Sequence, residues 1–237
     1  RIKSYETIYE QNRLGWHQSD GMFYLYNEDT KQFSDNFWST VDNYRLPGTT
    51  VIQNTPLNRE VRNQSNWAGG AVMDGLYGIA GVNLKPSYPS DFSMNANKSW
   101  FMFDDEIVAL GSDISGAGGN SIETIVENRK LRDDNTNVFK VNGAEVFSEN
   151  STSPSELSDV QWAHLSGNVQ GADIGYYFPE PTNLKGYRNQ RSGSWYPIES
   201  EYTIYKESTV EEQRNYLTLC ADHGINGAAD KKYAYVL

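Results

Sequence analysis

"KSWFMFDDEIVALGS", residues 98–112, reads as two strands closed by a tight turn. Trp100, Phe101, Met102 and Phe103 lead into three consecutive carboxylates, and Ile107, Val108, Ala109 and Leu110 lead out of them. Aromatic and β-branched residues suit the half-buried face of a sheet, and Asp104-Asp105 suits the centre of a two-residue hairpin. Adjacent like charges repel, so Asp104, Asp105 and Glu106 sit either in a solvated turn or around something positive. Carboxylate oxygens suit Ca²⁺, but three local acids cannot fill the roughly six to eight positions of that ion. On spacing alone both readings stay open.

Outward from this hairpin, strand-like runs and turn clusters alternate along the whole chain. "GMFYLYN" (21–27) alternates Met22, Tyr24 and Tyr26 against Phe23 and Leu25, and the aromatic block "QFSDNFWSTVDNYRLPGTT" (32–50) closes on the turn signal Pro47-Gly48. "NWAGGAVMDGLYGIAGVNL" (66–84) is a glycine-spaced β segment without the charged face of a surface helix. "SIETIVENRKL" (121–131) fits helix or strand by pattern, and Ile122, Thr124, Ile125 and Val126 tip it to strand. "NVFKVNGAEVF" (137–147) is a hairpin around Asn142-Gly143. "VQWAHLSG", "ADIGYYFP" and "NYLTLCADHG" complete the set, while "STVEEQRNYL" (208–217) is the most helix-like run and lacks a clear apolar face. The reading is one all-β domain of many antiparallel strands spanning residues 1–237.

Composition agrees. Sixteen Tyr, nine Phe and six Trp supply large buried areas, and twenty Gly supply turns. A net charge of −11 argues against nucleic acid or an anionic membrane surface as partner. No apolar stretch approaches the roughly 20 residues that span a bilayer. Cys220 stands alone, which excludes a disulfide framework and a cysteine zinc site. "RIKSYET" has neither an initiator Met nor a signal peptide, and "KKYAYVL" stops inside an alternating pattern, so the chain reads as a piece of something longer.

Residue chemistry alone singles out no catalytic set. His17, His164 and His223 lie far apart, without a nucleophile motif, and His223, at the end of a strand, reads as a turn or hydrogen-bonding residue. "GSDISGAGGN" (111–120) has no phosphate-binding Lys and reads as a mobile loop. With 31 acidic side chains, a glycosidase pair cannot be picked by spacing. Trp16, Trp38, Trp67 and Trp195 are candidates for a sugar-stacking platform, most of them core and one or two exposed to sugar.

"GWHQSDGMFYLYNED", "FWSTVDNYRLPGTT", "KSWFMFDDEIVALGS", "IETIVENRKL", "ADIGYYFP" and "RSGSWYPI", in that order, resemble the polysaccharide lyase family of hyaluronate, chondroitin AC and xanthan lyases (family 8). The third and fourth blocks are most similar to its xanthan-acting members. The resemblance implies a large antiparallel β-sandwich of the galactose-mutarotase-like supersandwich type. It would be the central domain of a secreted, extracellular enzyme, between an N-terminal α/α toroid and a smaller C-terminal β domain. Such enzymes cleave an acidic polysaccharide beside a uronate by β-elimination, with an Asn, His, Tyr and Arg set carried by the toroid. This chain alone is then expected to hold no catalytic residue.

The same resemblance implies substrate contacts and a metal. In relatives an Asn-x-Glu-Asn motif faces the cleft; here "YEQN" (9–12) keeps Asn12 but places Gln11 where the Glu stands. An Arg after the "GTW" motif binds pyruvylated mannose in the xanthan-acting members; here "GSWYPIESE" puts Glu201 there, and a carboxylate repels a pyruvate carboxylate. Either Arg188 or Arg191 substitutes, or the terminal sugar differs. Asp104, Asp105 and Glu106 match residues that bind Ca²⁺ together with an acid from the C-terminal domain, which implies a structural clip between domains. Two alternatives remain: a hyaluronate or chondroitin lyase domain, and a non-catalytic carbohydrate-binding β-sandwich.

Overall fold

The computed structural model describes residues 17–55, 63–88, 91–196, 198, 209–228 and 230–237. Within them run twelve strands: β1 (Thr50–Ile52), β2 (Ala68–Met73), β3 (Tyr77–Leu84), β4 (Ser93–Met102), β5 (Ile107–Ala117), β6 (Ser121–Lys130), β7 (Phe139–Val141), β8 (Ala144–Glu145), β9 (Ser155–Leu165), β10 (Ile174–Gly193), β11 (Glu212–Ile225) and β12 (Tyr233–Val236). One short helix, α1 (Phe37–Thr40), accompanies them. Strand neighbours are antiparallel, in the order β1-β6-β11-β10-β12-β5-β4-β3-β2, with β9 on β10 and the β7–β8 hairpin on β9. No helix among the described residues is long and apolar enough to cross a membrane.

The sheet folds over on itself. A single buried cluster gathers Leu84, Met94 and Ala109 from one end of the strand order with Ile122, Val126, Leu217 and Leu219 from the other. Side chains of β4 and β1, far apart in that order, meet directly, because Lys98 reaches the Thr50 hydroxyl. This is the sandwich expected from the sequence, built from one continuous sheet rather than two separate ones. The long strand β10 is its spine, and its register with β9 shifts between Tyr177 and Leu184. Pro179 and Pro181 lie in that interval; neither can donate to a ladder, so the strand bulges and bends there.

Turn chemistry placed the hairpins well. Asn142 and Gly143 both adopt positive φ, 47° and 90°, as the primed turn between β7 and β8 requires. The β4–β5 turn centres on Asp104-Asp105 and is closed by the Phe103 N–H donating to the Glu106 carbonyl. Segment 66–84 is a hairpin turning on Asp74-Gly75, a "DG" signal that its run of glycines obscured.

Three expectations are corrected. Residues 21–27 do not join the sheet; they run extended across it, with Phe23 and Leu25 packed on the core and Tyr24 and Tyr26 exposed. The alternation was real, but the segment has no strand neighbour among the described residues. The aromatic block after it forms turns and α1 rather than a strand-like run; Phe37, Val41 and Leu46 make a second small core with Tyr216 of β11. Residues 111–117 are strand, not a mobile loop. Their glycines serve close approach: a Cβ at Gly111 would lie 2.0 Å from the Tyr233 ring, and one at Gly116 would lie 2.3 Å from the Ser93 carbonyl oxygen.

Candidate substrate-facing site and carboxylate turn

A bulge organises the polar face of β6. Leu219 pairs with Glu127 and Cys220 with Ile125, so Val126 is an extra residue, and the alternation of side chains switches there. Val126 stays in the main core, and Glu127 points the same way, accepting from the buried Tyr176 hydroxyl at 2.9 Å and from Arg129 Nε at 3.2 Å. Asn128 then faces outward. Without the bulge, a strand of this sequence would send Glu127 out and Asn128 in.

Outward-facing Asn128 meets Arg191, the one predicted substrate-binding residue among the described residues. Arg191 Nη1 donates to Asn128 Oδ1 at 2.9 Å and Nη2 to Thr218 Oγ1 at 2.7 Å. Its guanidinium lies 4.6 Å from the Tyr216 ring centre and 6.0 Å from that of Tyr187. Burial pushes its pKa down from the ordinary value, with Tyr187 and Asp42 opposing. A guanidinium has five donors, of which these two bonds use two, so it stays charged in a fixed plane. Beside it Arg45 is clamped by Glu123 (2.8 and 3.2 Å) and Asp42 (3.0 Å). Burial works against the charge on Arg45, but the Glu123 hydrogen bonds and the two carboxylate charges outweigh it and its pKa is raised. Two guanidinium groups, Arg191 and the carboxylate-paired Arg45, thus lie on one face of the sheet.

Arg188 is not part of it. Only 1% exposed, it faces the other side of β10 and donates to the Asn135 and Asn137 carbonyls, so it holds a loop and cannot substitute for a substrate-binding Arg. Gln11, Asn12 and Glu201 lie outside the described residues, as does Trp16. Trp38 packs on the small core, and the Trp195 indole donates to Asn36 Oδ1 at 2.9 Å; Trp67 is 58% exposed. The histidines are accounted for without catalysis. His17 pairs with Asp20 at 2.7 Å, His164 with Asp173 at 3.1 Å, and His223 with Thr124 Oγ1 at 2.9 Å. Burial lowers the His223 pKa to about 4, so it is neutral at pH 7.

The acidic triplet is exposed at the β4–β5 turn, as the solvated-turn reading requires. Its hard oxygen donors suit Ca²⁺, but among the described residues no three metal-ligating side chains converge on one point. By themselves, then, these residues do not fit a complete calcium site. The turn has a notable setting. Leu237 and Ile107 exchange both backbone hydrogen bonds at its base, and Met73, Leu76, Tyr77, Met102 and Phe103 are exposed around it.

Sequence reasoning missed Lys98 altogether. It is only 2% exposed, donating to the Gly48 carbonyl, to Thr50 Oγ1 at 2.9 Å and to the Asp20 carbonyl at 3.3 Å. The signal was present, since Ala96, Lys98 and Trp100 share one face of β4, and that face is the core side.

Comparison with known proteins gives a consistent picture. The family description "polysaccharide lyase family 8, super-sandwich domain" matches residues 1–237. The chain is 44% identical over 238 residues to the xanthan lyase of Bacillus sp. (strain GL1), covering all of this chain and 25% of that protein. It is 34% identical over 248 residues to a hyaluronate lyase of Enterococcus faecalis, covering all of this chain and 24% of that one. Among solved structures, a Paenibacillus xanthan lyase superposes with a TM-score of 0.91 at 47% identity, over 100% of this chain and 22% of its own. A chondroitin AC lyase of Streptomyces coelicolor superposes with a TM-score of 0.73 at 32% identity, over 98% of this chain and 28% of its own. The chain spans about a quarter of the length of these relatives.

Proposed function

Because this chain belongs to polysaccharide lyase family 8, as its super-sandwich domain, we propose that it forms one wall of the substrate cleft of a secreted, xanthan-type lyase. The observation that carries the reading is the 44% identity to a xanthan lyase across the entire chain, ten points above the hyaluronate lyase match. The outer face of β6, β10 and β11 supports it physically. Arg191 and Arg45 give an acidic polysaccharide a charged docking point on a chain whose net charge is −11. The chemistry itself, removal of the C5 proton beside a uronate and departure of the glycosidic oxygen, belongs to groups on another domain of the full-length protein.

The test is ultraviolet absorbance of the full-length protein acting separately on xanthan, hyaluronan and chondroitin. Elimination leaves an unsaturated, absorbing uronate and hydrolysis does not. A rise on xanthan alone is the expected result. A rise only on the other two glycans keeps the reaction and moves the substrate, and silence on all three favours a carbohydrate-binding sandwich.

Calcium belongs to the same proposal, as a clip completed by donors outside this chain. The exposed carboxylates at the tip of the β4–β5 turn and the apolar side chains around them support it. Ca²⁺ is expected to bind the full-length protein at least about tenfold more tightly than it binds this chain, and to raise the melting temperature of the former only. The double substitution Asp104→Asn/Asp105→Asn removes that rise. Equal affinities for the two forms would defeat the inter-domain clip.

A further inference from the structure

Trp67 is held in place yet turned to solvent. Its N–H donates to Ser65 Oγ at 3.2 Å and its carbonyl accepts from the Asn83 N–H at 3.1 Å. The benzene end of the indole lies over Gly81, where a Cβ would come within 2.9 Å of Cη2 and 3.2 Å of Cζ3. Glycine there lets the ring rest against the strand, and 58% of the residue remains exposed. Beneath it a cleft opens on the outer face of β3, β4 and β5, floored by Asn83, Asn97 and Ser112.

The floor is ordered in advance. Asn83 Nδ2 donates to Asn97 Oδ1 at 2.9 Å and to Asn95 Oδ1 at 3.2 Å, and Asn97 Nδ2 donates to Asp113 Oδ2 at 2.7 Å. Asp113 owes its position to a bulge. The β4–β5 register shifts between Asn95 and Asn97, and Asp113 takes a φ of 54°, which turns its carboxylate to Asn97. The one cationic residue in the lining, Lys98, sends its ammonium to the opposite face, toward Gly48 and Thr50. The cleft therefore offers an indole face, amides and hydroxyls, with the Asp113 carboxylate bonded to Asn97 at its margin and, among the described residues, no cationic group turned into it.

We infer that this cleft is a second saccharide-binding site, walled by Trp67 and floored by Asn83, Asn97 and Ser112, and that it takes an uncharged pyranose. A pyranose with equatorial substituents presents a flat C–H face to the indole, while its rim hydroxyls meet the amides and the Asp113 carboxylate. A uronate would lie near the Asp113 carboxylate with no cation among the described lining groups to neutralise it, and is disfavoured. The inference is independent of the lyase reading, because it uses β3–β5 and not the Arg191 face of β6, β10 and β11.

The experiment is calorimetric titration of the full-length protein with cellohexaose and, separately, with a hyaluronan oligosaccharide. Cellohexaose is expected to bind wild type, about tenfold more weakly to Trp67→Ala, and with intermediate affinity to Trp67→Phe. Trp67 is exposed, so the Ala variant should keep the wild-type melting temperature, and that measurement guards against misfolding. No binding of cellohexaose by wild type, or equal affinity in wild type and Trp67→Ala, overturns the inference. Hyaluronan-oligosaccharide binding that falls in Trp67→Ala would also overturn it, because the cleft is inferred to take an uncharged sugar.

Discussion

Lys98→Ala should destabilise the protein by about 3 kcal/mol, from a cavity in the core combined with a lost charged hydrogen bond. The ammonium donates to the Asp20 and Gly48 carbonyls before β1 and to Thr50 Oγ1 at its start, and it lies 5.7 Å from the Trp100 ring centre and 5.8 Å from that of Tyr233. It thus ties residues 20–50 to the inner face of β4. Asp20 and Thr50 keep other partners when it is removed, the Thr50 N–H for the Asp20 carbonyl and the Thr124 hydroxyl for Thr50 Oγ1. Lys98→Met fills most of the volume and should cost about half as much as Ala.

The pH dependence separates the charge from the packing. Burial pushes the Lys98 pKa down from 10.5 to about 7, while the Asp20 carboxylate, itself paired with His17, opposes the shift. Between pH 7 and 10.5 the unfolded chain holds a proton on this lysine that the folded chain has released. Wild-type stability therefore gains from Lys98 as pH rises through that window, and the gain is lost as pH falls to 7. The Met variant lacks this slope. Its deficit, measured by denaturant unfolding, should widen from pH 7 to pH 10, and a constant deficit would show that Lys98 stays charged when folded. Tyr88 and Tyr233, both near the ammonium or Asp20, have pKa values raised by burial; neither should ionise within this window before unfolding.

What the sequence made legible follows from how local each signal is. Asn142-Gly143 and Asp104-Asp105 set hairpins through their own backbone preferences, and the structure has both. β-branched content pointed to strand on β6, whereas the helix-like run 208–217 enters strand β11 from Glu212. Partners at long range were not legible. Residues 21–27 alternate as a strand does, yet whether an extended segment joins a ladder depends on edges supplied by distant chain. The glycines of 111–117 looked like mobility because the Tyr233 ring that requires one of them lies more than a hundred residues away. The site shows the same division. The acidic turn and Arg191 could be named from the resemblance, but the bulge at Val126 that turns Asn128 toward Arg191 depends on the register between β6 and β11. The amide floor beneath Trp67 came together only through the bulge at Asp113.

Arg191→Ala in the full-length enzyme should raise KM for its acidic polysaccharide by roughly thirtyfold, the equivalent of about 2 kcal/mol for a lost charged hydrogen bond. The guanidinium is held by Asn128, Thr218 and the Tyr216 ring, so wild type pays little ordering entropy when a carboxylate docks on it. On the proposal that groups outside this chain handle the reacting bond, kcat should change far less than KM. Arg191→Lys keeps a charge but cannot reach both partners in one plane or stack in the same way, and should fall between wild type and Ala. Salt distinguishes docking from scaffolding. If Arg191 meets substrate charge, raising ionic strength should weaken wild-type binding more steeply than that of the Ala variant. If it only braces β6 against β10, the salt dependences should coincide, and the loss should appear in the melting temperature and kcat together. That second pattern would remove Arg191 from the docking proposal, since Arg45 beside it is already paired with Glu123 and Asp42.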